Sequence, residues 1–203
     1  MSHPVPGQHP GVFVSPRDVL LSYNGLRYGR GVLDAARATD GTNTGHEDEL
    51  RPGTPLAQIT TTRLWVPCKR TTASATVADS TALAVVDARA FKPGDSITVG
   101  GNPAQPIVAV DYASHTLTLT SQISWAADDA VVTEDGSQTP RAILNEFVKL
   151  RDDDGVLRNK LFGQAVIAGL VDPHQLLGDA AAVRTAVDSK LSFIQWGDDA
   201  GLV

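Results

Sequence analysis

The feature that most constrains this fold is the stretch from Phe91 to Thr133, where three short apolar runs are separated by turn residues. In the third run Leu117 and Leu119 alternate with threonines, the period of two expected when one strand face is buried and the other is solvated. The short link Asp111–His115 between the second and third runs favours antiparallel neighbours. The predicted strands are Ser96–Val99, Ile107–Val110 and Thr116–Thr120. Together they predict a small antiparallel β-barrel or sandwich.

A tight turn is predicted just ahead of the first run, at Lys92-Pro93-Gly94-Asp95. Proline pre-sets its φ angle and glycine accepts a positive φ, which suits the two central positions of such a turn. The turn therefore marks where the first strand begins.

Charge and cysteine content exclude several classes of protein. The chain of 203 residues has a net charge of -6, whereas nucleic-acid binders usually carry a clustered basic face. Its single cysteine, Cys68, allows no internal disulfide, and its apolar neighbours indicate a buried or strand-edge thiol. No signal peptide or membrane span is indicated. We therefore expect a protein of a reducing, aqueous compartment that binds neither nucleic acid nor membrane.

The first sixteen residues are predicted to form an extended arm. Prolines fix φ and remove backbone donors, so the arm either stays mobile or lies along a partner. Its apolar residues have no obvious intrachain contact and are the candidate partner-binding residues. They are Val5, Val12, Phe13 and Val14.

The rest of the chain is predicted to divide into a β-rich body, residues 17–70 and 140–203, and an inserted β-barrel domain, residues 71–139. In the body, Asp18–Tyr23 and Gly31–Ala36 are predicted to be short strands or strand-like contact segments, and a strand is predicted at Gln58–Pro67 after a Pro-Gly turn. In the insert, five residues are predicted to point inward: Ala75, Val77, Leu83, Val85 and Val86.

The C-terminal part is predicted to contain a strand, Lys160–Leu170, and then one helix. Asp172 suits the N-cap and Pro173 the first helical position. Apolar residues then recur at helical spacing and predict a stripe that packs on the body or on an oligomer axis. The stripe consists of Leu176, Ala180, Val183, Val187 and Leu191. The predicted fold class is mainly β: a small antiparallel barrel or sandwich domain inserted in a β-rich body, with an extended N-terminal arm and one C-terminal helix.

No catalytic constellation is found in the sequence. Gly94-Asp95-Ser96 resembles an esterase motif, but strand-like residues follow it where that motif requires a helix, so a turn is favoured. Asp152–Gly155 lacks the spaced ligands of a calcium loop and also indicates a turn. The five histidines show no metal-site spacing. We therefore expect no enzyme activity, no metal and no cofactor.

Two separated segments resemble the head decoration proteins of tailed bacteriophages. The first is Leu50–Ile59, with its Gly-x-Pro-Leu turn, followed by Leu64–Pro67. The second is Ala142–Glu146, an acidic turn, and then Gly163–Val166. The intervening residues, roughly 71–139, depart from the family pattern and are interpreted as an insertion. The resemblance implies a non-catalytic protein that sits, usually as a trimer, on the outside of the capsid and binds the major capsid protein.

The leading hypothesis is thus a virion structural protein, a capsid decoration or cement protein found on the capsid surface and in the host cytoplasm during assembly. Its expected partners are the major capsid protein and its own chain, as a homotrimer. A tail, neck or baseplate component is the alternative within the same class. A carbohydrate-binding module is the alternative from another class, with an aromatic face as its binding site, and an enzyme ranks third. The aromatic face would comprise Trp65, Trp125, Tyr112 and Tyr23.

Overall fold

The computed structural model describes residues 20–188 and 194–196 of the chain. It confirms the predicted fold class: the protein is mainly β, with one α-helix near the end of the described chain. The strands are β1 (Leu20–Leu33), β2 (Glu49–Leu50), β3 (Pro55–Gln58), β4 (Trp65–Pro67), β5 (Arg70–Thr72), β6 (Val77–Ala84), β7 (Ser96–Val99), β8 (Gln105–Asp111), β9 (Thr116–Trp125), β10 (Ala130–Val132), β11 (Pro140–Leu144), β12 (Val148–Lys149), β13 (Lys160–Val171) and β14 (Ile194–Trp196). The helix is α1 (Ala180–Asp188), and a 3-10 turn spans Pro173–Gln175.

The first sheet has the strand order β1-β4-β3-β11-β13-β14, and β1 also pairs with β13. That additional pairing closes five of the strands into a ring, and β14 lies outside it, parallel to β13. The parallel contact of β1 with β4 is the single pair Leu33 and Trp65, while β1 and β13 pair over a long antiparallel ladder. A closed ring leaves few free strand edges, which limits unwanted pairing with other chains.

The second sheet has the order β5-β10-β7-β8-β9-β6 and curves around its own apolar core. The segments that follow its two edge strands meet at an isolated antiparallel bridge between Ala73 and Val85. All strands of this sheet lie between Arg70 and Val132, and those of the first sheet lie on either side. Whether residues 71–139 are an independent domain stays a prediction.

The three strands predicted in the most patterned stretch are confirmed as β7, β8 and β9, with antiparallel pairing. The predicted turn ahead of β7 is also present: Asp95 donates its N–H to the Lys92 carbonyl at 3.1 Å. Gly94 has φ +91°, a value that glycine adopts without steric cost. Leu117 and Leu119 both point into the core, as their alternation predicts.

Three strand predictions in the body were wrong in their boundaries. Instead of separate strands at residues 18–23 and 31–36, one long strand, β1, runs from Leu20 to Leu33. The predicted strand Gln58–Pro67 is a hairpin, because β3 ends at Gln58 and β4 begins at Trp65. The polar residues between them turn, and Arg63 adopts φ 60° within the turn.

The predicted inward positions of the insert are partly correct. Leu83 and Val85 are buried and Val77 is half-buried, but Ala75 and Val86 are exposed. Ala75 lies between β5 and β6, and Val86 follows β6, so neither belongs to the alternation of a strand.

The start of the predicted helix was also wrong. Asp172 caps only the 3-10 turn, and Gly178, with φ +108°, interrupts the helical path. The α-helix begins at Ala180, because Asp179 is its N-cap and its carboxylate accepts an N–H of the first turn at 3.0 Å.

The predicted apolar stripe is nevertheless buried against the body. Val183 and Val187 of α1 pack in one cluster with Ile143 of β11 and Val166 of β13, and Leu176 joins them. Leu191, the last predicted member, lies outside the described residues. The stripe therefore packs on the chain's own body.

The residues on either side of Ile143 and Val166 explain how one sheet supports two cores. Ala142, Leu144 and Ala165 point to the interior of the ring, whereas Ile143 and Val166 point outward to the helix. Side chains alternate between the faces of a strand, so each face supplies its own cluster. In the described part of the chain, no helix is long and apolar enough to cross a membrane.

Candidate interaction surface

The chain between β11 and the first residues of β13 forms a separate segment at the surface. We call residues 147–161 the excursion segment. Near its start, β12 pairs with β2, the short strand between β1 and β3. Its turn is closed by the Asp152 N–H, which donates to the Val156 carbonyl at 2.9 Å. On the return, Arg158 donates its N–H to the Leu150 carbonyl at 2.9 Å. The segment is therefore a hydrogen-bonded excursion with a defined backbone.

Four large apolar side chains of this segment are exposed to solvent. The exposed fraction is 80% for Leu161, 56% for Phe147, 47% for Val156 and 37% for Leu157. Leu161 lies on β13 and pairs with Val32 of β1, so its exposure belongs to an ordered strand. Because these four exposed apolar side chains lie within fifteen residues of the sequence, we treat the segment as the candidate interaction surface.

Glu146 fixes the base of the excursion segment beside β13. Its Oε1 accepts the backbone N–H of Gly163 at 2.6 Å and that of Gln164 at 2.8 Å. Hydrogen bonds to a carboxylate are stronger than neutral ones. The backbone that carries Phe147, the next residue, is therefore held in place by these hydrogen bonds.

Charged residues of the same segment form ion pairs with one another. Arg158 pairs with Asp152 at 2.5 Å and with Asp154 at 3.0 Å, and Lys160 also pairs with Asp152. The hydrogen bond from Lys160 is the main cause that lowers the pKa of Asp152. The predicted Asp-rich turn is present. The carboxylates of Asp152 and Asp154 form ion pairs with basic side chains of the same segment. Among the described residues, no group of three or more His, Cys, Asp or Glu is arranged to hold a metal ion.

A second charged cluster lies where the two sheets meet. Lys69 has no exposed side-chain surface and its Nζ lies 2.5 Å from both carboxylate oxygens of Asp95, whose side chain is 5% exposed. Arg37 lies 3.9 Å from Asp95 and pairs with Asp135. The turn predicted at Gly94-Asp95-Ser96 thus places its aspartate against a buried lysine.

Asp135 is held ionised by its neighbours. Burial acts to raise its pKa, but hydrogen bonds from Ser137 and Arg37 outweigh burial and lower the pKa to about 2. Cys68, as predicted, is buried, and burial raises the pKa of its thiol to about 12.

The proposed aromatic face of a carbohydrate module is not formed by the predicted residues. Trp125 is 4% exposed and lies in the core of the second sheet. Tyr112 is half-buried and donates its hydroxyl to the Phe91 carbonyl at 2.9 Å, and Trp65 packs edge-on against Phe162 with ring centroids 5.5 Å apart. These rings stabilise the fold, and the Tyr23 side chain lies outside the described residues.

The predicted partner-binding residues Val5, Val12, Phe13 and Val14 also lie outside the described residues, so the arm stays a prediction. The predicted strand Lys160–Leu170 and the predicted turn Asp152–Gly155 are both present. Sequence reasoning missed only the exposure of the large apolar side chains around them, because neither pattern indicates it.

A scan of protein-family models, and searches of curated proteins and of solved structures, found no match to this chain.

Proposed function

We propose that this protein is a virion structural protein, a decoration or cement protein that binds the outside of a bacteriophage head and stabilises it. The observation that carries the proposal is the exposed apolar surface of the excursion segment, formed by Phe147, Val156, Leu157 and Leu161. The resemblance of Leu50–Ile59 and Ala142–Glu146 to head decoration proteins supports the choice of partner.

The excursion segment has the composition of a binding site. Apolar side chains supply buried area, and the ion pairs of Asp152 with Arg158 and Lys160 supply a polar rim. Because the backbone is already hydrogen-bonded, little conformational entropy is lost when a partner covers it. A shell protein is the partner that we assign to this surface.

Self-association is the second part of the proposal. Individually weak contacts become strong when several are made together, since linked sites raise the effective concentration of the next contact. A cyclic oligomer, a homotrimer, matches the repeated surface of an icosahedral shell. The arm, through Val5, Val12, Phe13 and Val14, adds a contact to a neighbouring subunit.

The test is co-sedimentation of the protein with assembled shells of the phage that encodes it. Leu161→Asp places a charge in the proposed interface and is expected to weaken binding at least tenfold. The matched control is Val108→Asp, because Val108 is 58% exposed but lies on the second sheet. Equal binding by both variants and the parent would contradict the assigned surface. Binding of the parent to tails, necks or a polysaccharide, and not to shells, would contradict the capsid assignment.

A further inference from the structure

The buried pair of Lys69 and Asp95 is the strongest feature that the proposed function leaves unexplained. Both side chains are withdrawn from water, with exposed fractions of 0% and 5%. Removing an ammonium and a carboxylate from water costs free energy that their attraction recovers only in part. A reaction that removes both charges would relieve that cost.

The two side chains are held in direct contact. The Nζ of Lys69 lies 2.5 Å from each carboxylate oxygen of Asp95. Both backbones are fixed: Lys69 donates its N–H to the Ser137 carbonyl at 2.8 Å, and the Asp95 carbonyl accepts the Ile107 N–H at 2.8 Å. Such positioning replaces a bimolecular encounter and gives a very high effective concentration.

A hydrogen-bond donor and a positive charge already lie beside the carboxyl group of Asp95. The backbone N–H of Lys92 donates to Oδ2 at 2.8 Å, and the charged guanidinium of Arg37 lies 3.9 Å from Oδ1. When an amine adds to a carboxyl carbon, negative charge develops on these oxygens, and a fixed donor and a nearby positive charge stabilise it. Asp135 keeps Arg37 in place through its own ion pair.

The reaction requires that the Lys69 ammonium first lose a proton. Burial lowers the pKa of the Lys69 ammonium, an effect that Asp95 opposes. In the proposed step one proton passes from Nζ to the carboxylate, which gives an amine and a carboxylic acid. A neutral amine is the nucleophile, and a protonated carboxyl is the better electrophile.

We propose that Lys69 and Asp95 become joined by an amide bond between Nζ and Cγ, formed within the folded chain. The Nζ lone pair attacks Cγ, a C–N bond forms, and a C–O bond breaks. The departing hydroxyl takes a proton from Nζ and leaves as one water molecule, so no oxidant or other reactant is needed. The bond links the entry of the second sheet, just before β5, to the start of β7, residues 26 positions apart in sequence.

The test is the intact mass of the full-length protein, followed by peptide mapping. We expect the mass to lie one water molecule below the sequence mass after the folded protein has been incubated at physiological temperature. Trypsin should fail to cleave after Lys69, and a branched peptide should join the segments that contain Lys69 and Asp95. The variant Lys69→Met should keep the full sequence mass, and the matched control Lys160→Met, which alters a half-buried pair of the excursion segment, should still lose one water.

Aspartates followed by glycine provide a necessary second control, because succinimide formation also releases one water. Such pairs occur at Asp40, Asp135 and Asp154. Hydroxylamine opens a succinimide but leaves a secondary amide intact, so a loss that survives hydroxylamine and maps to Lys69 and Asp95 supports the bond. A full sequence mass, or a loss that maps to an Asp-Gly pair, would overturn it. The result on the parent protein decides the matter, whether or not the variants fold.

Discussion

At the scale of single residues, Leu117 shows how the second sheet depends on side chains that water does not reach. It is fully buried among the apolar residues of that core, next to Leu119, which is 2% exposed. Leu117→Asp would place an unpaired charge there, and we expect it to lower the free energy of unfolding by about 4 kcal/mol or more.

Thr120→Asp is the matched control, because Thr120 lies on the same strand but is exposed. Urea unfolding of both variants checks the prediction. A Leu117→Asp protein as stable as the Thr120→Asp protein would show that the register of β9 is wrong.

Asp135 should make the free energy of unfolding depend on pH in the acidic range. Its folded pKa of about 2 lies below the ordinary value of 3.8, so the unfolded chain binds more protons between these values. The stabilisation is fully present above the ordinary pKa and is lost as the pH falls toward 2. We expect Asp135→Asn to be less stable than the parent at neutral pH, and the difference to shrink as the pH falls through this range.

Chemical unfolding at a series of pH values measures that difference. Asp48→Asn is a suitable control, since Asp48 pairs with the exposed Arg151 at the surface. A difference between Asp135→Asn and the parent that is independent of pH would show that the ionised carboxylate of Asp135, held by Ser137 and Arg37, is not its origin.

The contact between Lys69 and Asp95 in the second charged cluster could not have been found from the sequence. Charged residues in a sequence are normally read as solvated, and nothing near Lys69 in the chain indicates that its side chain is buried. Asp95 was assigned to a turn, correctly, but its partner lies on a segment that only the meeting of the two sheets brings close. Long-range pairing of this kind has no local sequence signal.

At the scale of elements, Asp179 joins the helix to the second sheet. Its carboxylate caps α1 and also accepts the Thr72 N–H at 3.1 Å and the hydroxyls of Thr71 and Thr72. Asp179→Ala should therefore remove a cap and leave buried donors without partners, at a cost of about 2–4 kcal/mol.

The matched control is Asp172→Ala, since Asp172 caps only the short 3-10 turn. We expect it to cost about 1 kcal/mol or less. Thermal unfolding of the two variants measures this order. The reverse order would show that the helix begins after Asp172, as the sequence alone predicts.

Elements with a clear apolar periodicity could be identified from the sequence, but the residues at which they begin and end could not. The alternation of leucine and threonine in residues 116–120 identified β9, although it could not show that the strand continues to Trp125. The helix stripe was recognised from spacing, but its first turn was misplaced because Asp172-Pro173 is as good a start signal as Asp179. Gly178 between them, with its positive φ, decides the matter.

At the scale of the whole molecule, the predicted arm is expected to order only against a neighbouring subunit. A truncation that starts at Arg17 should leave the thermal unfolding of the protein unchanged, because the four prolines of the arm prevent it from joining a strand ladder. It should weaken binding to assembled shells by about tenfold, the loss expected when one of several linked contacts is removed. Full binding by the truncated protein would contradict a role for Val5, Val12, Phe13 and Val14.

The measurement that tests the central claim most directly is the temperature at which assembled shells rupture, with and without the protein. We expect the parent protein to raise the rupture temperature and to have the solution mass of a symmetric oligomer. Leu161→Asp should fail to raise it, and Val108→Asp should act like the parent. A monomeric parent protein that leaves the rupture temperature unchanged would contradict the account.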